Sequence, residues 1–123
     1  MRRLFVIEHD VFNSQTLVAV GVTDERIIKW AEQTTDLVID DAFRELIKCD
    51  GDGRTAWSGP FTMIRFNDWN STGDEIGTLA HEAFHLAECV FRRIGIQHDQ
   101  ETSGEAFAYF IGHNVSEVLK GLR

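Results

Sequence analysis

His81, Glu82 and His85 are the residues whose types and spacing are best suited to joint chemistry, because they form the pentapeptide H-E-x-x-H. In a helix, residues four apart lie one above the other, so the two imidazoles project from one face and can bind a single cation. Glu82 would lie beside them, within reach of a water held by that cation. Imidazole nitrogens are common zinc ligands, and zinc activates water. The pattern therefore predicts a zinc site with a neighbouring carboxylate base.

The sequence around the pentapeptide has the period of an amphipathic helix. Thr72 followed by Glu75 predicts a capping box at the start of this helix, and Gly95 is placed to end it. His81, Glu82 and His85 fall on the side opposite the apolar stripe, so we expect a core face and a chemical face. Alternatively, these polar residues only solvate an exposed surface. The stripe comprises Ile76, Leu79, Ala80, Ala83, Phe84, Ala87, Val90, Phe91 and Ile94.

Two histidines do not complete a catalytic zinc site, since three protein ligands and an open water position are the norm. A last helix is predicted from about Asp99 or Thr102 to Leu119, and we expect its Glu105 to be the third ligand, with Glu101 as the alternative. Thr102 to Glu105 also has the sequence of a capping box, in which Glu105 would only hydrogen-bond the helix start. The downstream candidates are His98, Asp99, Glu101, Glu105 and His113.

A family resemblance rests on the H-E-x-x-H motif and the later segment Glu105-Ala106-Phe107-Ala108-Tyr109. Together they resemble the gluzincin type of zincin metallopeptidase, whose third zinc ligand is such a glutamate. The short chain and its Glu-Ala-x-Ala-Tyr segment also resemble small predicted peptidases encoded by bacteriophages. The resemblance covers about residues 60–115. It implies one Zn²⁺ per chain, bound by His81, His85 and Glu105.

The implied reaction is hydrolysis of a peptide bond in a peptide or protein substrate. Glu82 would act as general base on the attacking water and then pass the proton to the leaving amine. Tyr109, one turn after Glu105, would donate a hydrogen bond to the developing oxyanion, although packing is the more common role of such a tyrosine. The strand from Phe61 to Phe66 corresponds to the edge strand with which zincins pair an extended peptide.

The remaining elements predict an α+β fold in a single domain, residues 1–123, with a small, mostly antiparallel sheet and the motif on a central helix, as in a minimal zincin core. Leu4 to Ile7 and Thr16 to Val22 are β-branched runs that predict neighbouring strands. A helix is predicted from Thr23, and a second amphipathic stretch runs from about Asp36 to Lys48. Pro60 to Asn67 predicts the next strand, which is apolar on both faces and therefore expected inside the fold.

Composition excludes several functional classes. The chain has 123 residues and a net charge of −8, which argues against nucleic-acid binding through a basic surface. No apolar run is long enough to span a bilayer, so no membrane association is expected. Cys49 and Cys89 lack metal-type spacing; two reduced thiols are the simpler interpretation, and a disulfide between them is the alternative. We therefore expect a cytoplasmic protein, in the host cytoplasm if the chain is phage-encoded.

The sequence favours a zinc-dependent hydrolase, specifically a peptidase, and leaves one alternative of another class. Little chain follows the motif helix to form the second wall of a deep cleft. The alternative is a non-catalytic zinc-binding module, which would hold the metal for shape or for recognition of a partner protein.

Overall fold

A computed structural model, which describes residues 1–9, 12 and 14–123, contains four strands and four helices. The strands are β1 (Arg3–His9), β2 (Ser14–Val20), β3 (Gly53–Ser58) and β4 (Phe61–Phe66). The helices are α1 (Asp24–Thr34), α2 (Asp41–Leu46), α3 (Gly73–Arg93) and α4 (Gly104–Gly121). No helix in these described ranges is both long and apolar enough to cross a membrane.

The strands form one mixed sheet in the order β1-β2-β4-β3. β1 pairs with β2 and β3 pairs with β4 in antiparallel fashion, whereas the central pair, β2 and β4, is parallel. The prediction of an α+β fold with a mostly antiparallel sheet is therefore confirmed. The parallel pair arises because the chain passes through α1, α2 and β3 before it returns beside β2.

Helices pack on both faces of the sheet, and the alternation of side chains along each strand separates two apolar clusters. Val18 and Val20 of β2 belong to the cluster that packs with α3 and α4. Leu17 and Ala19 of the same strand belong to the cluster that packs with α1 and α2. All six residues of β4 are buried, because this strand has a neighbour on each side and a helical layer on each face.

The expectation that Phe61 to Phe66 forms a substrate-pairing edge strand is wrong. This segment is β4, which lies between β2 and β3, so both of its edges are already paired. The edge position belongs to β3, a strand that the sequence analysis did not identify. Its buried residue is Ala56, and its mixed polar character resembles that of a loop.

The helices of the first half follow the sequence with one change. Thr23 caps α1 through its side chain, which accepts a hydrogen bond from the Arg26 amide at 3.2 Å. The second amphipathic stretch is helical only over α2, because the Asp40 carboxylate accepts from the Phe43 amide at 2.9 Å and sets the start there. The preceding residues 35–40 are in neither a helix nor a strand.

Helix α3 begins and ends where the sequence predicts. Thr72 and Glu75 form the capping box, in which the Thr72 hydroxyl accepts from the Glu75 amide and the Glu75 carboxylate accepts from the Thr72 amide. Hydrogen bonds from the Thr72 and Asn70 amides hold the pKa of Glu75 below its usual value. After Arg93 the chain leaves the helix through Gly95, which has a φ of +82°. The motif helix is therefore defined at both ends by local interactions.

A buried arginine joins the sheet to the α1–α2 layer. Arg65 of β4 donates through Nη1 to Asp24 Oδ1 at 2.6 Å and to the Ile47 carbonyl at 2.7 Å. Its Nη2 donates to the Val22 carbonyl at 2.9 Å. The planar guanidinium reaches these acceptors in separate directions, which a single ammonium nitrogen cannot reproduce.

We therefore expect Arg65→Lys to lower the free energy of unfolding by about 2–3 kcal/mol, since charged hydrogen bonds are lost and buried acceptors are left unpaired. Arg54→Lys is the matched control, because Arg54 is exposed and donates one hydrogen bond, to the Leu46 carbonyl at 2.9 Å. That change should cost less than about 1 kcal/mol. Urea unfolding measures both, and equal losses would contradict the role assigned to Arg65.

Candidate functional site

Helix α3 lies alongside the edge strand β3, and the two run in the same direction. Gly53, at the start of β3, lies against Thr78 and Glu82, whereas the Gly59 carbonyl beyond its end accepts from Arg93 Nη1 at 3.1 Å. The approach at Gly53 is close: a Cβ there would lie 2.8 Å from Thr78 Cγ2 and 3.2 Å from Glu82 Cγ. Only glycine fits this contact without a shift of the neighbouring side chains.

The two motif histidines point at one another. The distance between His81 Nε2 and His85 Nε2 is 3.0 Å. Two nitrogens that bind one tetrahedral zinc at 2.0–2.1 Å lie about 3.3 Å apart. The arrangement therefore fits two ligands of one metal ion, and it equally fits a hydrogen bond between two neutral imidazoles.

Glu88 contacts the ring nitrogen of His85 that does not face His81. His85 Nδ1 lies 3.1 Å from Glu88 Oε1, on the opposite side of the ring from Nε2. A carboxylate at this position is the usual outer-shell partner of a metal-binding histidine. It fixes the orientation of the ring and leaves Nε2 available to the metal. One turn of helix thus supplies both the histidine and the group that orients it.

The helical period predicted that Glu82 lies on the exposed face of α3, but in the structure it does not. Its residue is only 6% exposed, because β3 packs against this side of α3. The Thr55 hydroxyl lies 2.9 Å from Glu82 Oε1 and 2.8 Å from the Glu82 carbonyl oxygen. A buried carboxylate requires such hydrogen bonds, so Thr55 and Gly53 together hold Glu82 in place.

Two hollows meet at Glu82. A groove of about 590 Å³ runs along β3 and is lined by residues that include Thr55, Trp57, Glu82 and His85. A second hollow, of about 560 Å³, is lined by residues that include Thr78, His81 and Glu82. Glu82 therefore borders both spaces, and one motif histidine borders each.

A larger hollow lies elsewhere. It measures about 750 Å³ and includes Trp30, Leu37, Pro60, Phe61 and Arg93 in its lining, and no motif residue. The candidate site is assigned to the smaller hollows because they contain the paired imidazoles and the oriented carboxylate, which are the groups able to do chemistry.

The structure does not bring Glu105 to the histidine pair. Within the described part of the chain, no three His, Cys, Asp or Glu side chains form a group that could hold a metal ion. Glu105 and Glu101 are exposed, and Tyr109 is 81% exposed. Glu105 as third ligand, Glu101 as its alternative and Tyr109 as an oxyanion donor all stay predictions.

The capping alternative for Glu105 is wrong. Ser103 is the N-cap of α4 and makes no side-chain capping bond. Its hydroxyl instead accepts from the Asp99 amide at 2.7 Å and donates to the Gln97 carbonyl. Among the residues described, the side chain of Glu105 takes part in no hydrogen bond or ion pair. Local capping therefore does not account for this glutamate.

The other sequence candidates have different surroundings. His98 packs on Phe107, with ring centroids 4.5 Å apart, and His113 Nε2 lies 3.4 Å from the Glu8 carbonyl oxygen. Cys49 and Cys89 are both free thiols, as expected, and burial raises the pKa of each. A raised pKa disfavours the thiolate that metal binding requires.

Sequence reasoning missed Thr55 and Gly53, because it did not identify β3. A signal was present: the run from Arg54 to Trp57 lies between turn residues at Gly53 and at Gly59-Pro60, which is the pattern of a hairpin strand. What that pattern does not reveal is that Thr55 faces α3.

The residues present fit two of the three protein ligands of a zinc site, with an orienting carboxylate behind one ligand and a buried carboxylate beside the pair. Comparison with known proteins adds no further assignment: no family model, no curated protein and no solved structure matches this chain.

Proposed function

We propose that this chain is a zinc-dependent hydrolase that cleaves peptide bonds. The observation that carries the proposal is the convergence of His81 Nε2 and His85 Nε2, 3.0 Å apart, beside a carboxylate held at an edge strand. Because the two imidazoles could also hydrogen-bond each other, the metal site is favoured by two further contacts: Glu88 lies against His85 Nδ1, and the buried carboxylate of Glu82 lies beside the pair. The resemblance to zincin peptidases in the H-E-x-x-H motif supports the same conclusion.

Zinc, when bound, would polarise the substrate carbonyl and lower the pKa of the attacking water. Glu82 takes the proton from that water and delivers it to the leaving amine. Among the described residues, one of its carboxylate oxygens accepts a hydrogen bond, from Thr55, and the other accepts none, so it remains able to receive a proton. Glu88 keeps His85 oriented throughout, through its contact with Nδ1.

The backbone of β3 supports an extended substrate. The Gly21 amide donates to the Phe66 carbonyl at 3.0 Å, so the even-numbered residues of β4 point their backbone groups towards β2. The odd-numbered residues of β4 then pair with Arg54, Ala56 and Ser58. The backbone groups of Thr55 and Trp57 consequently face the groove that Glu82 lines. A peptide added as a strand there would lie beside the general base.

By the resemblance stated above, we propose Glu105 as the third ligand within the chain, although in this structure it does not form a group with His81 and His85. Its exposure and its lack of hydrogen bonds among the described residues leave its carboxylate available. Glu101, one turn earlier in sequence and also exposed, is the alternative.

A second function is favoured by a different observation. No third metal-binding side chain accompanies His81 and His85 among the residues described. A pair of this kind suits a metal whose coordination is completed by a partner protein. In that case the chain is a zinc-binding interaction module, and Glu82 has a structural role against Thr55.

The first test of this proposal is metal content. We expect one zinc per chain. We also expect His81→Ala and His85→Ala each to weaken zinc binding more than about a hundredfold, because each variant removes one of the two histidine ligands. His98→Ala is the control, because His98 packs on Phe107 and should leave affinity unchanged. Zinc affinity is then compared between Glu105→Gln and Glu101→Gln, and the variant with the weaker zinc binding identifies the third ligand. Elemental analysis and chelator competition supply the measurements, and zinc that reconstitution cannot raise above trace levels would remove both metal hypotheses.

Glu82→Gln distinguishes the enzyme from the interaction module. We expect it to keep zinc content and the unfolding midpoint while lowering cleavage of a peptide library by about 10²–10⁴-fold, the contribution of a general base. Glu117→Gln on α4 is the control and should cleave normally. The hydrolase assignment fails if zinc-loaded wild-type protein cleaves nothing across a diverse library.

Thr55 is expected to position Glu82 through its hydroxyl. Thr55→Val should lower kcat about tenfold with little change in KM, because the substrate contacts the backbone of this residue and not its hydroxyl; Thr55→Ser should restore the rate. Independently of activity, Thr55→Val and Glu82→Ala, each of which removes the hydrogen bond, should show a coupling of about 1 kcal/mol in a double-mutant unfolding cycle. Additive effects on unfolding would show that the hydroxyl does not hold the carboxylate.

A further inference from the structure

The second edge of the sheet is β1, on the side away from the candidate site. Its ladder with β2 determines which backbone groups face outward. The Gln15 carbonyl accepts from Thr62 Oγ1 of β4 at 2.9 Å, and the Gly21 amide donates to Phe66 of β4, so odd-numbered residues of β2 face β4. Even-numbered residues of β2 therefore bond to β1, opposite its odd-numbered residues.

The backbone groups of Leu4, Val6 and Glu8 consequently point away from the sheet. The Glu8 carbonyl agrees with this assignment, because it lies 3.4 Å from His113 Nε2 and not in the ladder. For Leu4 and Val6, no hydrogen bond to these outward groups is found in the described ranges. Leu4 and Val6, which are two positions apart, thus offer two amides and two carbonyls to another strand.

Within the described part of the chain, the middle of this edge, from Leu4 to Ile7, lacks the features that normally prevent strand addition. Natural edge strands carry a charge, a proline, a bulge or a covering element. The run from Leu4 to Ile7 contains neither charge nor proline, and its register with β2 continues without a bulge. Leu4, Phe5 and Val6 are only half-buried, so apolar side chains on both faces remain partly in water. An antiparallel neighbour would cover them.

The charges at the two ends of β1 select the neighbour and its direction. Arg2 and Arg3 lie at the beginning of the strand and Glu8 lies near its end. Arg2 and Glu8 make no ion pair within the part of the chain described. A second copy in antiparallel orientation brings each basic end to an acidic end, whereas a parallel copy brings like charges together. The strand is therefore complementary to itself.

We propose that two copies of this chain pair through β1 to form a continuous eight-stranded sheet. A two-fold axis between copies makes the interface isologous. Bonding of the outward residues then places Leu4 opposite the partner's Val6, Phe5 opposite the partner's Phe5, and Arg2 opposite the partner's Glu8. This register uses both open residues of each strand and leaves the Glu8 carbonyl with His113. The groove beside β3 stays open in the dimer.

The test is the mass of the full chain in solution, measured by sedimentation velocity over a range of concentrations. Wild-type protein should sediment as a species of twice 14.0 kDa. Val6→Lys should give a folded monomer, because it places a charge against the partner's Leu4 on each side of the axis. Trp57→Lys, on the other edge strand, is the matched control and should remain dimeric. Circular dichroism confirms that each variant is folded.

A charge-reversal pair tests the register without relying on one variant. Arg2→Glu and Glu8→Arg should each weaken dimerisation about tenfold, since two symmetric attractions become repulsions. An equimolar mixture of the two variants should form a heterodimer as stable as the wild-type dimer, because every opposed pair is again of opposite charge. A monomeric wild-type protein overturns the proposal. So does a dimer that the reversals leave unchanged, or one that mixing fails to restore.

Discussion

The close packing of α3 against β3 is the constraint on which the candidate site depends. It occurs at Gly53, where the absence of a side chain lets Thr78 and Glu82 of the helix approach the strand. This contact turns one side of the motif helix into an interior surface. Glu82 is therefore enclosed beside Thr55, whereas His81 and His85 stay on the open side. A side chain at position 53 would press on Thr78, Phe66 and Glu82 and would therefore displace the Glu82 carboxylate.

Enclosure of Glu82 has an energetic consequence. A carboxylate removed from water is destabilised unless hydrogen bonds compensate for the lost hydration. Here the Thr55 hydroxyl provides part of that compensation, since its one hydrogen is shared between Glu82 Oε1 and the Glu82 carbonyl oxygen. The same contact gives the carboxylate one orientation relative to the strand edge. His85 is oriented in a comparable way by Glu88, so both a candidate base and a candidate ligand are held by neighbours. Such preorganisation is what a reacting group needs.

The two edges of the sheet differ in character for physical reasons. β3 is short and carries exposed polar residues, and α3 runs beside it, so an added strand would be bordered by the candidate catalytic groups. β1 is apolar along its middle and charged with opposite signs at its ends, so its preferred neighbour is a strand of the same sequence. A sheet with distinct edges can accept a substrate on one side and a second copy on the other.

The sequence by itself determined the elements whose signals are local. The capping box and apolar period defined α3, and β-branched runs defined β1 and β2, because these patterns depend on neighbouring residues only. The H-E-x-x-H spacing likewise determined that His81 and His85 lie together, since one helical turn separates them.

Only the tertiary structure decided which strand lies at the edge, which way Glu82 faces, and where α4 carries Glu105. The apolar character of β4 indicates burial but does not name its neighbours, so β3 and β4 were not distinguished as edge and centre. The helical period placed Glu82 opposite the apolar stripe, because it takes no account of a strand that packs against that side of the helix. In the structure β3 packs there and buries Glu82. The position of Glu105 depends on the course of the connection from Ile94 to Ser103, whose hydrogen bonds are formed by Asp99 and Ser103 and follow no periodic pattern. Long-range packing, and not local preference, determines each of these features.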